Sequence, residues 1–353
     1  MEKIPSRLYK LDSLDKNLSV LPPITDKTQL NIEISSLCNA RCIYCEYSQL
    51  GLHKKGRLID EKLFYRITKE AFNLGVRDIG LYLSGDPFTN PKLVNYVEFL
   101  KKLGFRYVFL STNGILCTPE MLEKLVIAGM DSIKFSIAGT SEESFYAHHR
   151  VKGFKKVYSN IKYAWEYRKK TNYSYRIFVF SLITQQNVVN IEKMRNLFSP
   201  YCDDITFVRA FTQLNMLTGT ERLFIESEDR SVPQSYRASI PCPQAFNRIN
   251  VTAEGLLSIC CLALSNSLAG LTCVANLNEV NLEDAFYNDA FKTIREKHIK
   301  NDIKNTICNR CVNGVHETMF SAKSSWNTDP YTINDINLSA DVDNMFPCTY
   351  KDA

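Results

Sequence analysis

Apolar and polar positions along the first two-thirds of the chain alternate between two periods. LNIEIS (30–35), DIGLYLS (78–84), YVFLS (107–111), SIKFSI (132–137), YRIFVFSLI (175–183) and DITFVR (204–209) have the short-period or continuous apolar content of strands. Between them the period lengthens to three and four. Leu63, Ile67, Ala71 and Leu74 stripe one face over 60–74, and Phe154, Val157, Ile161 and Trp165 stripe a longer helix. Pro91 and Gly104 bracket a helix over 91–103, Pro119 opens one that ends near Gly129, and 187–198 reads as another. Six strands alternating with helices predict parallel pairing through βαβ units, so an α/β barrel or an open doubly wound sheet. No GxGxxG follows a strand, which counts against a dinucleotide fold, and no repeat of solenoid period occurs.

The rhythm breaks near 210. The pattern divides the chain into an N-terminal extension (1–28), a barrel (29–210), a polar linker (211–235), a smaller cysteine-rich module (236–320) and an acidic, turn-rich tail (321–353). With 353 residues, 45% hydrophobic and 23% charged, the chain can bury a large core. Its net charge of +5, from 43 basic against 38 acidic side chains, is too mild to call for nucleic acid. The densest basic run, Arg168-Lys169-Lys170, closes a helix, where cations suit the dipole. No apolar run has membrane-span length and MEKIPSRLYK is no signal peptide, so a cytoplasmic location is expected, with no membrane partner. Disulfides rarely persist there, and twelve cysteines then read as metal ligands or redox groups.

Polar residues and glycines gather where strands end: Ser84-Gly85-Asp86-Pro87, Ser111-Thr112-Asn113-Gly114 and Ser136. In barrels that face carries the chemistry. The first strand runs into EISSLCNARCIYCEYS, with Cys38, Cys42 and Cys45 at CxxxCxxC spacing. Three thiolates can hold three irons of a [4Fe–4S] cubane and leave the fourth open to a small molecule. A zinc knuckle completed by His53 is the alternative, although zinc favours CxxC pairs and four ligands. Taken singly, Asn113-Gly114 is a turn dipeptide and Arg150 a surface partner for Glu142 or Glu143. Later, Cys242, Cys260 and Cys308-Asn-Arg-Cys311 form a four-thiol set that suits zinc or [4Fe–4S] equally. RINVTAEGLLSICC predicts a hairpin turning at Glu254-Gly255.

CNARCIYC after a first strand resembles the signature loop of radical S-adenosylmethionine (SAM) enzymes, and the likeness continues in order across 29–210. The resemblance implies a partial (β/α)6 TIM-type barrel, followed by the small module of a β-hairpin plus helix. It implies a [4Fe–4S] cluster on Cys38, Cys42 and Cys45, with SAM chelating the open iron and cleaved there to a 5′-deoxyadenosyl radical. Tyr44 matches the residue against the adenine. SGDP stands where the family carries Gly-Gly-Glu-Pro, so the Gly85 backbone and Asp86 are expected at the SAM amino group. Thr112 and Asn113 match the segment near the ribose, and Ser136 and Arg150 the contacts to ribose and carboxylate.

The second set resembles the SPASM and shorter twitch modules. No cysteine follows Cys311 until Cys348, which favours a single auxiliary [4Fe–4S] cluster on Cys242, Cys260, Cys308 and Cys311, with Cys261 able to replace Cys260. An external reductant such as flavodoxin or ferredoxin and a small-molecule substrate are implied. The expected reaction is dehydrogenation of a sugar or aminocyclitol, with the auxiliary cluster accepting an electron. An epimerase would instead need a thiol hydrogen donor such as Cys117 or Cys261. A maturase of ribosomal peptides is the third reading, for which the roughly thirty residues ahead of the first strand are too few to form a leader-binding domain. Cys202, Cys273 and Cys348 are expected as inert buried thiols, and Phe178, Phe180, Phe207 and Arg209 as pocket walls.

Overall fold

The computed structural model describes residues 18–49, 56–184, 186–209, 241–261, 272–304, 306 and 308. The linker, the tail, His53, Cys311, Cys348 and the side chain of Arg209 lie outside them. Six strands, β1 (Gln29–Ile32), β2 (Asp78–Leu81), β3 (Tyr107–Thr112), β4 (Ser132–Ser136), β5 (Arg176–Ile183) and β6 (Asp204–Arg209), pair in parallel in sequence order. Each crossover carries a helix, and the result is an unclosed α/β barrel.

Local chemistry sets the helix ends. Asp60 caps the helix Glu61–Asn73 by accepting from the Leu63 N–H at 2.9 Å, and Leu63, Phe64, Ile67 and Ala71 bury its inner face. Gly104, at φ 110°, ends Leu93–Leu103 in the left-handed conformation that glycine adopts without strain. Thr118 caps Pro119–Ile127, with proline at the first turn. The helix Glu142–His149 carries no apolar stripe and the periodicity did not predict it. It forms through a Ser141–Ser144 capping box and ends at Arg150, at φ 53°.

Side-chain alternation separates two faces of the sheet. Val108, Leu110, Ile133, Phe135, Ile177 and Val179 join the main core beneath the helices. Tyr107, Phe109, Lys134, Ser136 and Phe180 are only half-buried and face the lumen. The lumen side is knit by the Tyr107 hydroxyl bonding Ser132 Oγ at 2.8 Å and by the Tyr82 and Phe109 rings, 5.6 Å apart. Phe207, expected as a pocket wall, turns the other way and packs with Ile183 and Met194.

The cysteine-rich segment does not stand apart from this sheet. Its strands β7 (Arg248–Val251), β8 (Leu256–Ser258) and β9 (Cys273–Asn276) extend it, in the order β6-β5-β4-β3-β2-β1-β7-β8-β9. β7 runs parallel to β1, and β7–β8 is the predicted hairpin, with Gly255 at φ 87°. An unclosed barrel leaves the β1 edge with unpaired N–H and C=O groups, and β7 covers it. Asn31 Nδ2 donates to Asn250 Oδ1 across that seam at 2.8 Å. Arg66 donates to the Leu277 carbonyl and Glu70 accepts from the Leu282 N–H, tying the segment to the helix Glu61–Asn73. Among the described residues, no helix is long and apolar enough to cross a membrane.

Candidate active site

The loop after β1 brings Cys38, Cys42 and Cys45 to the C-terminal end of the strands, all three half-buried. Its backbone is held from outside: the Arg41 N–H bonds the His149 carbonyl and the Ile43 N–H the His148 carbonyl, both at 2.9 Å. Arg41 Nη1 also donates to the Cys38 carbonyl at 2.7 Å. The helix Glu142–His149, missed by periodicity, is therefore the brace of the cysteine loop.

Donors point at the sulfurs. The Ala138 N–H donates to His149 Nε2 at 2.9 Å, which makes that nitrogen the acceptor and leaves the ring proton on Nδ1. Nδ1 lies 3.2 Å from Cys42 Sγ. The Ala40 N–H approaches Cys38 Sγ at 3.5 Å and Asn113 Nδ2 at 3.8 Å. Burial pushes the Cys38 thiol up to about 12, helped by the Asp86 charge. Burial followed by the Cys45 and Cys38 charges pushes Cys42 well above the ordinary thiol range. Two desolvated thiols whose ionisation Cys45 opposes, with N–H groups aimed at their sulfurs, form with Cys45 a donor set that fits an iron–sulfur cation. Among the described residues no group of three His, Cys, Asp or Glu converges as a single metal ion would require.

Gly85 lies flat against the segment leading into Cys38, and the Asp86 N–H bonds the Leu37 carbonyl at 2.8 Å. A methyl at Gly85 would be driven into the Ser35 carbonyl oxygen and to 2.7 Å from that of Leu37, both backbone atoms. Gly85→Ala is expected to destabilise by about 2 kcal/mol, read from the urea midpoint. The Ser84 and Gly85 N–H groups both donate to Glu33 Oε1, at 2.8 and 3.0 Å, while Glu33 Oε2 accepts from the Ala253 N–H at 3.1 Å. Burial and the Glu254 charge raise Glu33 to about 7. Glu33 thus ties the loop after β2 to the β7–β8 turn. Sequence reading passed over it as a polar position in LNIEIS.

Other expected site residues are differently placed. Asp86 is buried, and its oxygens accept from Thr112 Oγ1 at 2.8 Å, the Asn113 N–H at 2.8 Å and the Phe88 N–H at 3.0 Å. Burial raises its pKa while these donors pull it back. Asp86 and the Thr112 hydroxyl thereby join the loops after β2 and β3 to each other. Asn113 reaches toward the cysteine loop, donating to Asn39 Oδ1 at 2.7 Å. Tyr44 stands edge-on to His149, 6.1 Å between ring centres, and Ser136 ends β4 on the lumen side. Arg150 is exposed with no carboxylate partner among the described residues, and Glu142 accepts from the Gly153 N–H instead. Cys117 was expected at the mouth. It is 1% exposed within the main core, where burial pushes its thiol up, because the chain turns inward after Asn113-Gly114.

Cys242 precedes β7 and Cys260 follows β8, so the antiparallel pairing brings both to the open end of one hairpin. The Cys242 N–H donates to His298 Nδ1 at 3.3 Å. Cys242, Cys260, Cys261 and Cys308 are half-buried, and Cys202 and Cys273 are buried.

An unclosed parallel barrel with a three-thiol loop at its strand ends is the frame of an enzyme that holds a metal cluster beside an open lumen. The radical SAM superfamily model matches residues 32–195, and that of an iron–sulfur cluster-binding domain, SPASM, matches 242–312. A radical SAM domain and a SPASM domain are thus detected in the chain; SAM, a [4Fe–4S] cluster and auxiliary iron–sulfur clusters go with these two domains. A probable GTP 3′,8-cyclase of Saccharolobus islandicus is 32% identical over 135 residues, 38% of this chain and 42% of that one. An AdoMet-dependent heme synthase of Methanosarcina barkeri is 27% identical over 161 residues, 46% of this chain and 44% of that one. The chain thus spans less than half the length of these curated relatives. Among solved structures, BtrN in complex with AdoMet and 2-DOIA superposes with a TM-score of 0.50 at 17% identity, covering 81% of this chain and 92% of that one. Streptococcus suis SuiB bound to precursor peptide SuiA gives 0.60 at 14%, covering 82% and 68%. At such identities the likeness is one of fold.

Proposed function

We propose that this radical SAM enzyme dehydrogenates a small polar substrate, such as a sugar or aminocyclitol, in the cytoplasm. The observation that carries the reading is the three-thiol loop with donors aimed at its sulfurs, set beside a lumen lined by half-buried polar and aromatic side chains. When bound, SAM and its cluster supply a hydrogen-abstracting 5′-deoxyadenosyl radical, and an auxiliary cluster supplies an electron acceptor. Cys38, Cys42 and Cys45 would hold the first cluster, and Cys242, Cys260, Cys308 and Cys311 the second. The Gly85 backbone, fixed by Glu33, would meet the SAM amino group, with Tyr44 at the adenine, Ser136 at the ribose and Arg150 at the carboxylate. Asn113 would brace the loop that presents the thiols. An external reductant of the flavodoxin or ferredoxin type would supply the first electron.

The test is anaerobic turnover with dithionite against a panel of sugars and aminocyclitols. One 5′-deoxyadenosine per two-electron-oxidised product is expected; a product of unchanged oxidation state would replace dehydrogenation by a redox-neutral reaction. Epimerisation remains the second reading because Cys261 lies half-buried and acts electrostatically on lumen-facing Lys134. Uptake of solvent deuterium at the reacting carbon would favour it.

His149 offers a further check. His149→Phe preserves the stacking on Phe145, whose ring centre is 4.2 Å away, and removes the donor to Cys42. A lower midpoint potential at unchanged iron content is expected in an EPR-monitored titration. An unchanged potential would mean that His149 does not tune that ligand.

A further inference from the structure

The lumen holds a charge that none of the roles above uses. Lys134 lies midway along β4, in register with Ser111 of β3 and Phe178 of β5, on the same side of the strand as Ser136. Its Nζ stands 5.4 Å from the centre of the Tyr82 ring and 5.0 Å from that of Phe180. Among the described residues it has no hydrogen-bond acceptor and no carboxylate partner. From the elements around it, Tyr82, Ser111, Phe178 and Phe180 bring no formal charge, and Cys261 is the titratable group that acts on it. Burial holds its amine below the usual lysine range, and the opposing pull of Cys261 does not make up for it.

Other half-buried cations of the barrel have acceptors: Arg168 pairs with Asp203 at 2.6 Å and Lys101 with Asp131 at 2.9 Å, while Arg41 and Arg77 donate to backbone carbonyls. Removing an ammonium from water without an anion is costly, and the two aromatic faces offset part of that cost without accepting its hydrogen bonds. An unpaired cation facing a cleft is where a ligand's charge belongs.

We propose that Lys134 receives an anionic group, a carboxylate or phosphate, of the molecule that occupies the lumen. The inference rests on the lumen being the substrate site and, of the two substrate classes proposed above, keeps the sugar, as an acidic or phosphorylated polyol, and sets aside the aminocyclitol. An amine-bearing substrate would set a second cation against Lys134 in a desolvated cleft, where like charges oppose binding. Ser111, on the same lumen side, offers a hydroxyl partner for a polyol.

Acetic anhydride footprinting of the reconstituted, SAM-loaded enzyme reads the site without turnover. Acetylation of Lys134 is followed by peptide mass spectrometry with glucose 6-phosphate, gluconate, glucose or glucosamine at one concentration and ionic strength. Lys102, on the outer surface and 74% exposed, is the internal control. At least one of the two anions is expected to slow acetylation of Lys134 roughly tenfold, as a charge-assisted hydrogen bond would, with no change at Lys102. The stronger protector distinguishes phosphate from carboxylate. Equal protection by glucose or glucosamine, or none by either anion, overturns the proposal. 5′-Deoxyadenosine release by the same preparation tests the radical reading separately: protection without release would keep the anion site and sink the radical chemistry.

Discussion

Changing Cys38, Cys42 and Cys45 together to Ala is expected to remove one [4Fe–4S] equivalent of iron and acid-labile sulfide from an enzyme that otherwise reconstitutes with two. Reductive SAM cleavage should fall to background, while the auxiliary site still fills. The variant should fold, because the loop is held by backbone bonds the thiols do not make. The Arg41 and Ile43 N–H groups bond the His149 and His148 carbonyls, and Arg41 Nη1 bonds the Cys38 and Ala40 carbonyls. Circular dichroism of the wild type and variant should coincide. Two clusters retained in the variant would remove these thiols from the reading altogether. A single cluster in the wild type, lost in the variant, would leave the open site without an internal acceptor and shift the chemistry toward redox-neutral reactions.

Glu33 should give the second large effect. Glu33→Ala leaves the Ser84, Gly85 and Ala253 N–H groups without their acceptor in a buried setting. At roughly 1–3 kcal/mol for each unsatisfied group, partly relieved by water, a loss of about 4 kcal/mol is expected in urea unfolding. SAM affinity should fall too if the Gly85 backbone meets its amino group. Glu33→Gln separates charge from packing. The Glu33 carboxyl sits at about 7 in the fold against an ordinary 4.5, raised by burial and then by Glu254, so the folded state holds its proton more tightly than the unfolded chain does. Its contribution is therefore most favourable below pH 4.5 and declines as pH rises toward 7, by about 3 kcal/mol. Tyr47 and Glu254 are the titratable neighbours, and both remain in the variant. The stability difference between wild type and Glu33→Gln, followed from pH 4.5 to 7, should carry that slope. A flat difference would show that Glu33 titrates as an ordinary carboxylate.

Much of the candidate site was legible because its signals are local. The CxxxCxxC spacing, the strand-end clusters and the Glu254-Gly255 turn each lie within a short stretch whose chemistry does not depend on distant neighbours. What the sequence left out has a common cause. Asp86 and Thr112, expected at the SAM amino group and near the ribose, also bond each other from successive strand ends. Cys117 follows the loop after β3, but Asn160 Nδ2 holds the Gly114 carbonyl at 2.9 Å and the chain turns into the core. Phe207 and Phe180 both looked like pocket walls, and only the register of β5 with β6 put Phe207 on the helix side.

By itself the sequence determined the alternating α/β rhythm, the order of strands, the identity of the thiols and the hairpin of the cysteine-rich segment. Those follow from periodicity, turn chemistry and spacing, which neighbouring residues settle among themselves. Tertiary structure alone decided that β7 closes the β1 edge, that Glu33 clamps Ser84, Gly85 and Ala253, that His149 faces Cys42, and that Lys134 meets the lumen between the Tyr82 and Phe180 rings with no carboxylate partner among the described residues. Each joins residues that are remote in the chain, Glu33 and Ala253 by 220 positions and Cys42 and His149 by 107. Burial and pairing across such separations are set by how the sheet edge is completed and which face a strand turns inward, and no local pattern encodes either.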